Sequence, residues 1–123
     1  MAQIGDRVLD NGLTVLDTEA NALHICSTEP TTYTEAVTTY TEGNKTTYSS
    51  GSPSDRGGGG REVTFPAITD GSVTGTDTVT HFAVVDTVNS RLLVVQALSS
   101  SQAVTSGNTF TLTQFTVGIP DPA

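Results

Sequence analysis

"VTHFAVVDTVNSRLLVVQAL", residues 79–98, consists of two nearly unbroken apolar runs joined by a short polar turn, in a chain otherwise rich in threonine, serine and glycine. A strand with one face in water alternates apolar and polar residues, whereas a strand covered on both faces reads as a continuous apolar run. The stretch is therefore read as a β-hairpin. Its two strands form the middle of a core, or else one face is covered by a neighbouring subunit.

Strand-like segments continue on either side. Upstream, "REVTFPAIT" (61–69) sets Val63, Phe65 and Ala67 against Glu62, Thr64 and Pro66. Proline has no N–H to donate to a ladder, so this strand is expected at an edge or with a bulge. Downstream, "NTFTLTQFTVGIP" (108–120) holds Phe110 and Leu112 in phase and then slips to Phe115, Val117 and Ile119. A bulge near Thr113-Gln114 would return all five to one side. The turn-rich connections "TDGSVTGTD", "TVNS" and "SSSQAVTSGN" separate these segments at near-regular spacing. Many short strands so punctuated predict a mainly β fold, an antiparallel β-sandwich or barrel-like domain.

The N-terminal half has a different texture. Leu9, Leu13, Leu16 and Ala20 recur at helical spacing, and Asp6 is placed to cap a helix. Asn11-Gly12 is also a strong hairpin signal, so a helix and a hairpin compete here. "NALHICST" (21–28) alternates Leu23 and Ile25 with His24 and Cys26, a strand ended by Pro30. Residues 31–60 contain "TTYTE" twice, at 31 and 38, and a third "TTY" at 46. The threonine load argues against helix, so extended, irregular structure is expected. Residues 51–60, with four consecutive glycines, read as a flexible surface loop. One domain is expected, divided into an N-terminal helical segment (1–20), a strand and Thr/Tyr-rich extended segment (21–50), the Gly-rich loop (51–60) and a β core (61–119).

The chain carries thirteen acidic residues against five scattered basic ones, a net charge of −8. Without a basic stripe to neutralise phosphates, direct nucleic-acid binding is not expected. No apolar run approaches the roughly 20 residues of a membrane-spanning helix, and the N-terminus lacks a signal-peptide pattern. His24, Cys26 and His81 are too few and too scattered for a zinc site, and "DRGGGGR" lacks the lysine and hydroxyl of a P-loop. Neither a metal nor another cofactor is expected. No acid, base and nucleophile set converges, so an enzyme is disfavoured. Cys26 has no partner within the chain and is a candidate for an intermolecular disulfide.

Three phrases then carry a family likeness: the threonine-or-serine, acidic, proline motif Ser27–Pro30, "VTHFAVVD" (79–86) and "VTSGNTFTL" (104–112). With them, residues 5–119 resemble a family of small β-rich virion proteins of tailed bacteriophages and prophages. The resemblance implies a short N-terminal helix and favours it over the hairpin. It also implies a virion structural protein, made in the host cytoplasm and carried on the particle. The leading expectation is a capsid decoration (cement) protein on the outer surface of the major capsid protein, itself a homo-oligomer, with a trimer plausible. The rivals are a tail or neck component and a module that binds host carbohydrate. The expected contact residues are Tyr33, Tyr40, Tyr48 and, from the N-terminal segment, Leu9, Leu13 and Leu16. The Thr-rich stretch is expected to offer itself to a neighbour's sheet edge.

Overall fold

The computed structural model describes residues 6–120, with side chains from Gly12 onward. Helix α1 (Asp6–Glu19) is followed by β1 (Ala22–Cys26), a π-helical turn (Glu35–Thr39), β2 (Thr41–Lys45) and β3 (Ser54–Asp55). Strands β4 (Arg61–Phe65), β5 (Ile68–Val73), β6 (Asp77–Asp86), β7 (Arg91–Val104), β8 (Thr109–Leu112) and β9 (Phe115–Ile119) complete the order. The fold is mainly β, 51% strand and 14% helix. A curled, half-barrel antiparallel sheet runs β7-β6-β1-β2-β5-β8, and a small sheet runs β3-β4-β9.

Helix wins over hairpin in the first segment, with Asn11-Gly12 inside α1. Leu13, Leu16 and Ala20 are buried at helical spacing, and the helix packs on β4 and β9. Burying one continuous apolar stripe outweighs the roughly 1 kcal/mol that an interior glycine costs.

The 79–98 hairpin forms as read, but its strands have different fates. β6 lies between β7 and β1, and Phe82 through Asp86 are all buried. The main core covers one face. On the other, the π-helical turn brings Ala36 over Ala22, Ala83 and Val85. β7 is an edge strand with no buried residue, so the expectation that both strands lie in the middle of the core holds for β6 alone. The turn between them contains no glycine. Asp86 accepts hydrogen bonds from the Val88 and Asn89 N–H groups and from Asn89 Nδ2, and Asn21 Oδ1 accepts from Thr87 N–H. Ser90 closes the turn at φ 56°.

Two expected irregularities share one cause. β4 ends before Pro66 and β5 begins at Ile68, while β8 ends at Leu112 and β9 begins at Phe115. Phe65 pairs with Phe115 and Ile68 with Leu112, three residues on in one strand and three back in the other. One antiparallel ribbon thus bends across both sheets, with its corner at Pro66-Ala67 and Thr113-Gln114. The phase slip in 108–120 is this corner rather than a bulge. Pro66 sits where no ladder bond is needed, and β4 is the central strand of the small sheet rather than an edge.

An aromatic series joins the layers. Tyr48 stacks on Phe65 with centroids 5.6 Å apart, Phe65 on Phe115 at 4.9 Å, and Phe115 meets Phe82 of β6 at 4.7 Å.

Residues 31–60 depart furthest from expectation. The first "TTYTE" starts a helical turn rather than an extended segment: Thr32 Oγ1 accepts the Glu35 N–H at 3.1 Å, and the Glu35 carboxylate accepts from Thr31 N–H and Oγ1 at 2.8 Å. These bonds satisfy donors that a helix start leaves open. They also hold the Glu35 carboxyl below its ordinary pKa, with the Thr31 N–H the main cause. The second "TTYTE" ends the turn at Tyr40, and its last two residues begin β2. Its continuation, Gly43-Asn44, supplies no apolar pair like Ala36-Val37 to hold a helix down. The Gly-rich loop is a hairpin tip: β3 pairs with β4, Arg56 N–H donates to the Gly60 carbonyl, and Gly58, Gly59 and Gly60 take φ of 90°, 107° and 95°.

Candidate functional site

The structure places the expected contact residues unevenly. Leu13 and Leu16 point into the core at 2% and 8% exposure, and Tyr48 is buried with its hydroxyl donating to the Pro66 carbonyl at 2.7 Å. Burial pushes the Tyr48 phenol pKa well up. These three residues hold the domain together and are closed to a partner, which corrects their assignment as contacts. The Leu9 side chain lies outside the described residues. Tyr33 and Tyr40 are half-buried near the two ends of the π-helical turn, where Tyr33 packs on the cluster of Ala22, Ala83 and Val85. The Thr-rich segment is also spoken for, because β2 is hydrogen-bonded on both sides by β1 and β5 and has no free edge.

Cys26 is fully buried, and its thiol faces the Ala36 carbonyl at 3.6 Å. Burial, aided by the charge of Glu42, pushes its pKa up to about 12. A buried, protonated thiol is neither a nucleophile nor an accessible half of an intermolecular disulfide, so that expectation is also corrected. His24 Nδ1 lies 2.8 Å from Thr41 Oγ1, and burial lowers its pKa and keeps the ring neutral. His81 Nδ1 lies 2.9 Å from Thr80 Oγ1, and Nε2 lies 4.0 Å from Glu29. Among the described residues, no group of three or more His, Cys, Asp or Glu is arranged to hold a metal ion.

What remains open is the seam of the half-barrel. β7 and β8 are its two edges, so among the described residues each lacks a hydrogen-bonded neighbour on one side. The tight turn 105–108 ties them at one end: Gly107 N–H donates to the Val73 carbonyl at 2.9 Å, and Ser106 N–H donates to Thr76 Oγ1 at 3.0 Å. From there three adjoining grooves of about 280, 260 and 260 Å³ follow the seam, first along 102–111, then between Leu98 and Leu112, and last between Gln96 and Phe115. Buried Ile25, Val79 and Phe110 form the floor of the middle groove, and Ser99, Ser100 and Thr111 are among its polar walls.

The electrostatics of this region set it apart. From Leu92 to Pro120 the sequence contains no Asp, Glu, Lys or Arg, so β8, β7 beyond Arg91 and the seam between them are built from uncharged side chains in a chain of net charge −8. Arg91, just before the run, is paired with Glu19 of α1 at 3.0 Å. The signal was present in the sequence as the uncharged run 92–120. Its meaning depends on sheet order, which places β7 and β8 at the margins.

Compared with protein-family models, curated proteins and solved structures, the chain has no match.

Proposed function

We propose that this chain is a non-enzymatic structural subunit of a tailed-phage particle, a decoration protein that binds the outer surface of the capsid lattice and stiffens the shell. One observation carries the reading: an acidic domain whose charge-free residues form both free edges of its main sheet. Such an edge offers backbone hydrogen bonds and apolar flanks without charge to desolvate, which suits adhesion to a repeating surface. The phrases that carry the family likeness supply central β6 (79–86) and the turn and edge strand that close one end of the seam (104–112). A phage tail or neck station is the second reading, since the same edges would serve a sheath lattice. A carbohydrate platform built on three tyrosines is less well supported, because Tyr48 is buried.

The test is reattachment. Particles assembled without the chain are mixed with the purified, labelled protein, sedimented and imaged. Label over the head in hundreds of copies is the expected result. Label on the tail moves the protein there, and no attachment to either overturns the proposal.

A further inference from the structure

Residues 28–39, between β1 and β2, leave the sheet and return to it at one point. Ser27 N–H donates to the Tyr40 carbonyl at 3.0 Å, and Thr80 Oγ1 donates to the Ser27 carbonyl at 3.1 Å, so the ends of the excursion are pinned to each other and to β6. A loop whose ends are joined can move as a unit without disturbing the strands it connects. This one lies over the outer face of the sheet as a flap. Pro30 and Ala36 are its only buried residues, and the buried cluster beneath Ala36 consists of Ala22, Ala83 and Val85, with Tyr33 and Val37 half-buried beside it. So small an apolar contact puts the flap at the low end of the domain's local stabilities, well below the main core.

A buried histidine lies on the covered face. His24 and Cys26 point to the same side of β1, and the Cys26 thiol donates to the Ala36 carbonyl of the flap at 3.6 Å. Thr41 Oγ1 donates its one proton to the Gly43 carbonyl at 3.2 Å, so it accepts from His24 Nδ1 at 2.8 Å. The neutral ring therefore carries its proton on Nδ1, and a second proton enters at Nε2. Nothing around the ring is placed to balance that charge. The residues paired with His24 are Ala83 on β6 and Asn44 on β2, and Cys26 is a protonated thiol. Lys45 of β2 is bound to Asp70, and Glu42 acts on the Cys26 thiol. His81, opposite Cys26 on β6, is a second base on this face and lies 4.0 Å from Glu29. In the flap the Glu35 carboxylate is occupied by Thr31 N–H and Oγ1, and Tyr33 and Tyr40 are phenols. Among the described residues no carboxylate pairs with His24.

We propose that the flap 28–39 is an acid-released lid: a proton entering at His24 Nε2 lifts it from β1 and β6 while both sheets stay folded, and uncovers Cys26 with the small cluster of Ala22, Ala83 and Val85. With the lid closed the new charge is buried without a counter-charge, and with the lid open water solvates it. Burial makes the closed ring the weaker base, so the closed state is fully favoured above about pH 6.5, the ordinary histidine value, and loses ground as pH falls below it. The lid is independent of the phage reading and is tested on the chain alone.

Cys26, the single cysteine of the chain, reports the opening. The full chain is labelled with 4,4′-dithiodipyridine at pH 7.5 and pH 5, and each rate is divided by that of the denaturant-unfolded chain at the same pH, which removes the reagent's own pH dependence. Global unfolding constants are measured at both pH values by denaturant titration. The wild-type ratio should exceed the global constant at each pH and should rise severalfold at pH 5, to a ceiling of about 30-fold set by an open-state histidine titrating near 6.5. His24→Gln should remove the rise, and Ala36→Gly, which loosens the flap without touching the histidine, should raise the ratio at both pH values. A wild-type ratio equal to the global constant, or one that does not increase with acid, overturns the inference. So does a rise that survives in His24→Gln, and so does an Ala36→Gly ratio no higher than the wild type's, a result that decides even if His24→Gln does not fold.

Discussion

β6 and β7 are written in nearly the same letters and lie side by side, yet one is the most buried long strand of the molecule and the other has no buried residue. Composition does not separate them. Their positions in the sheet do: β6 has hydrogen-bonded neighbours on both sides and cover on both faces, and β7 has a neighbour on one side only. An apolar run thus marks a strand that is to be covered, and topology decides whether its own chain does the covering.

Truncating one large side chain in each strand separates the two environments most strongly. Phe82→Ala removes a ring packed against Phe115 in a closed site, and should cost about 3–5 kcal/mol in denaturant unfolding. Leu98→Ala, at the open seam, should cost about 1 kcal/mol, because its side chain is already partly in water. Similar costs would show that the two strands share one environment after all.

A smaller effect follows from His24 of β1, the strand on the other side of β6. Burial holds its folded pKa below the ordinary histidine value of about 6.5, so the unfolded chain binds the proton more readily. The stability this neutral ring contributes is present above that value and is lost as pH falls below it. Unfolding free energy measured from pH 7.5 to 5 should fall with acidity, and His24→Gln should flatten the slope. An unchanged slope in the variant would mean that His24 is not the group responsible.

The smallest effect lies outside the hairpin. Gly12→Ala in α1 would place a Cβ 3.4 Å from Ile119 Cδ1, an ordinary contact, and should stabilise the chain by about 1 kcal/mol or less. A large loss instead would show that the helix cannot accept even that contact with β9.

Much of the fold was legible because periodicity reports burial directly. The helical stripe of Leu13, Leu16 and Ala20, the first of the paired runs of 79–98 and the alternation of 61–65 all reappear as buried faces. Where the structure differs from the local pattern, the deciding fact is non-local. Pro66 and the slip at 113–114 looked like two local faults and are one corner, visible only once β4-β5 is paired with β8-β9. The first "TTYTE" is a helix start because Thr32 and Glu35 satisfy each other's neighbourhood, a T-x-x-E signal masked by the threonine content. Candidate contact residues fared worst. Large aromatic and aliphatic side chains suit a core and an interface equally well, and Leu13, Leu16 and Tyr48 were taken by the core. The absence of charge from Leu92 to Pro120 is the feature that points outward, and it is a property of a whole segment rather than of any conspicuous residue.

The most direct test of the contrast between β6 and β7 is amide hydrogen exchange of the wild-type chain. Slow exchange throughout Phe82–Asp86 and faster exchange along β7 are expected, since β6 is hydrogen-bonded on both sides and β7 on one. Equal protection of the two strands would contradict it.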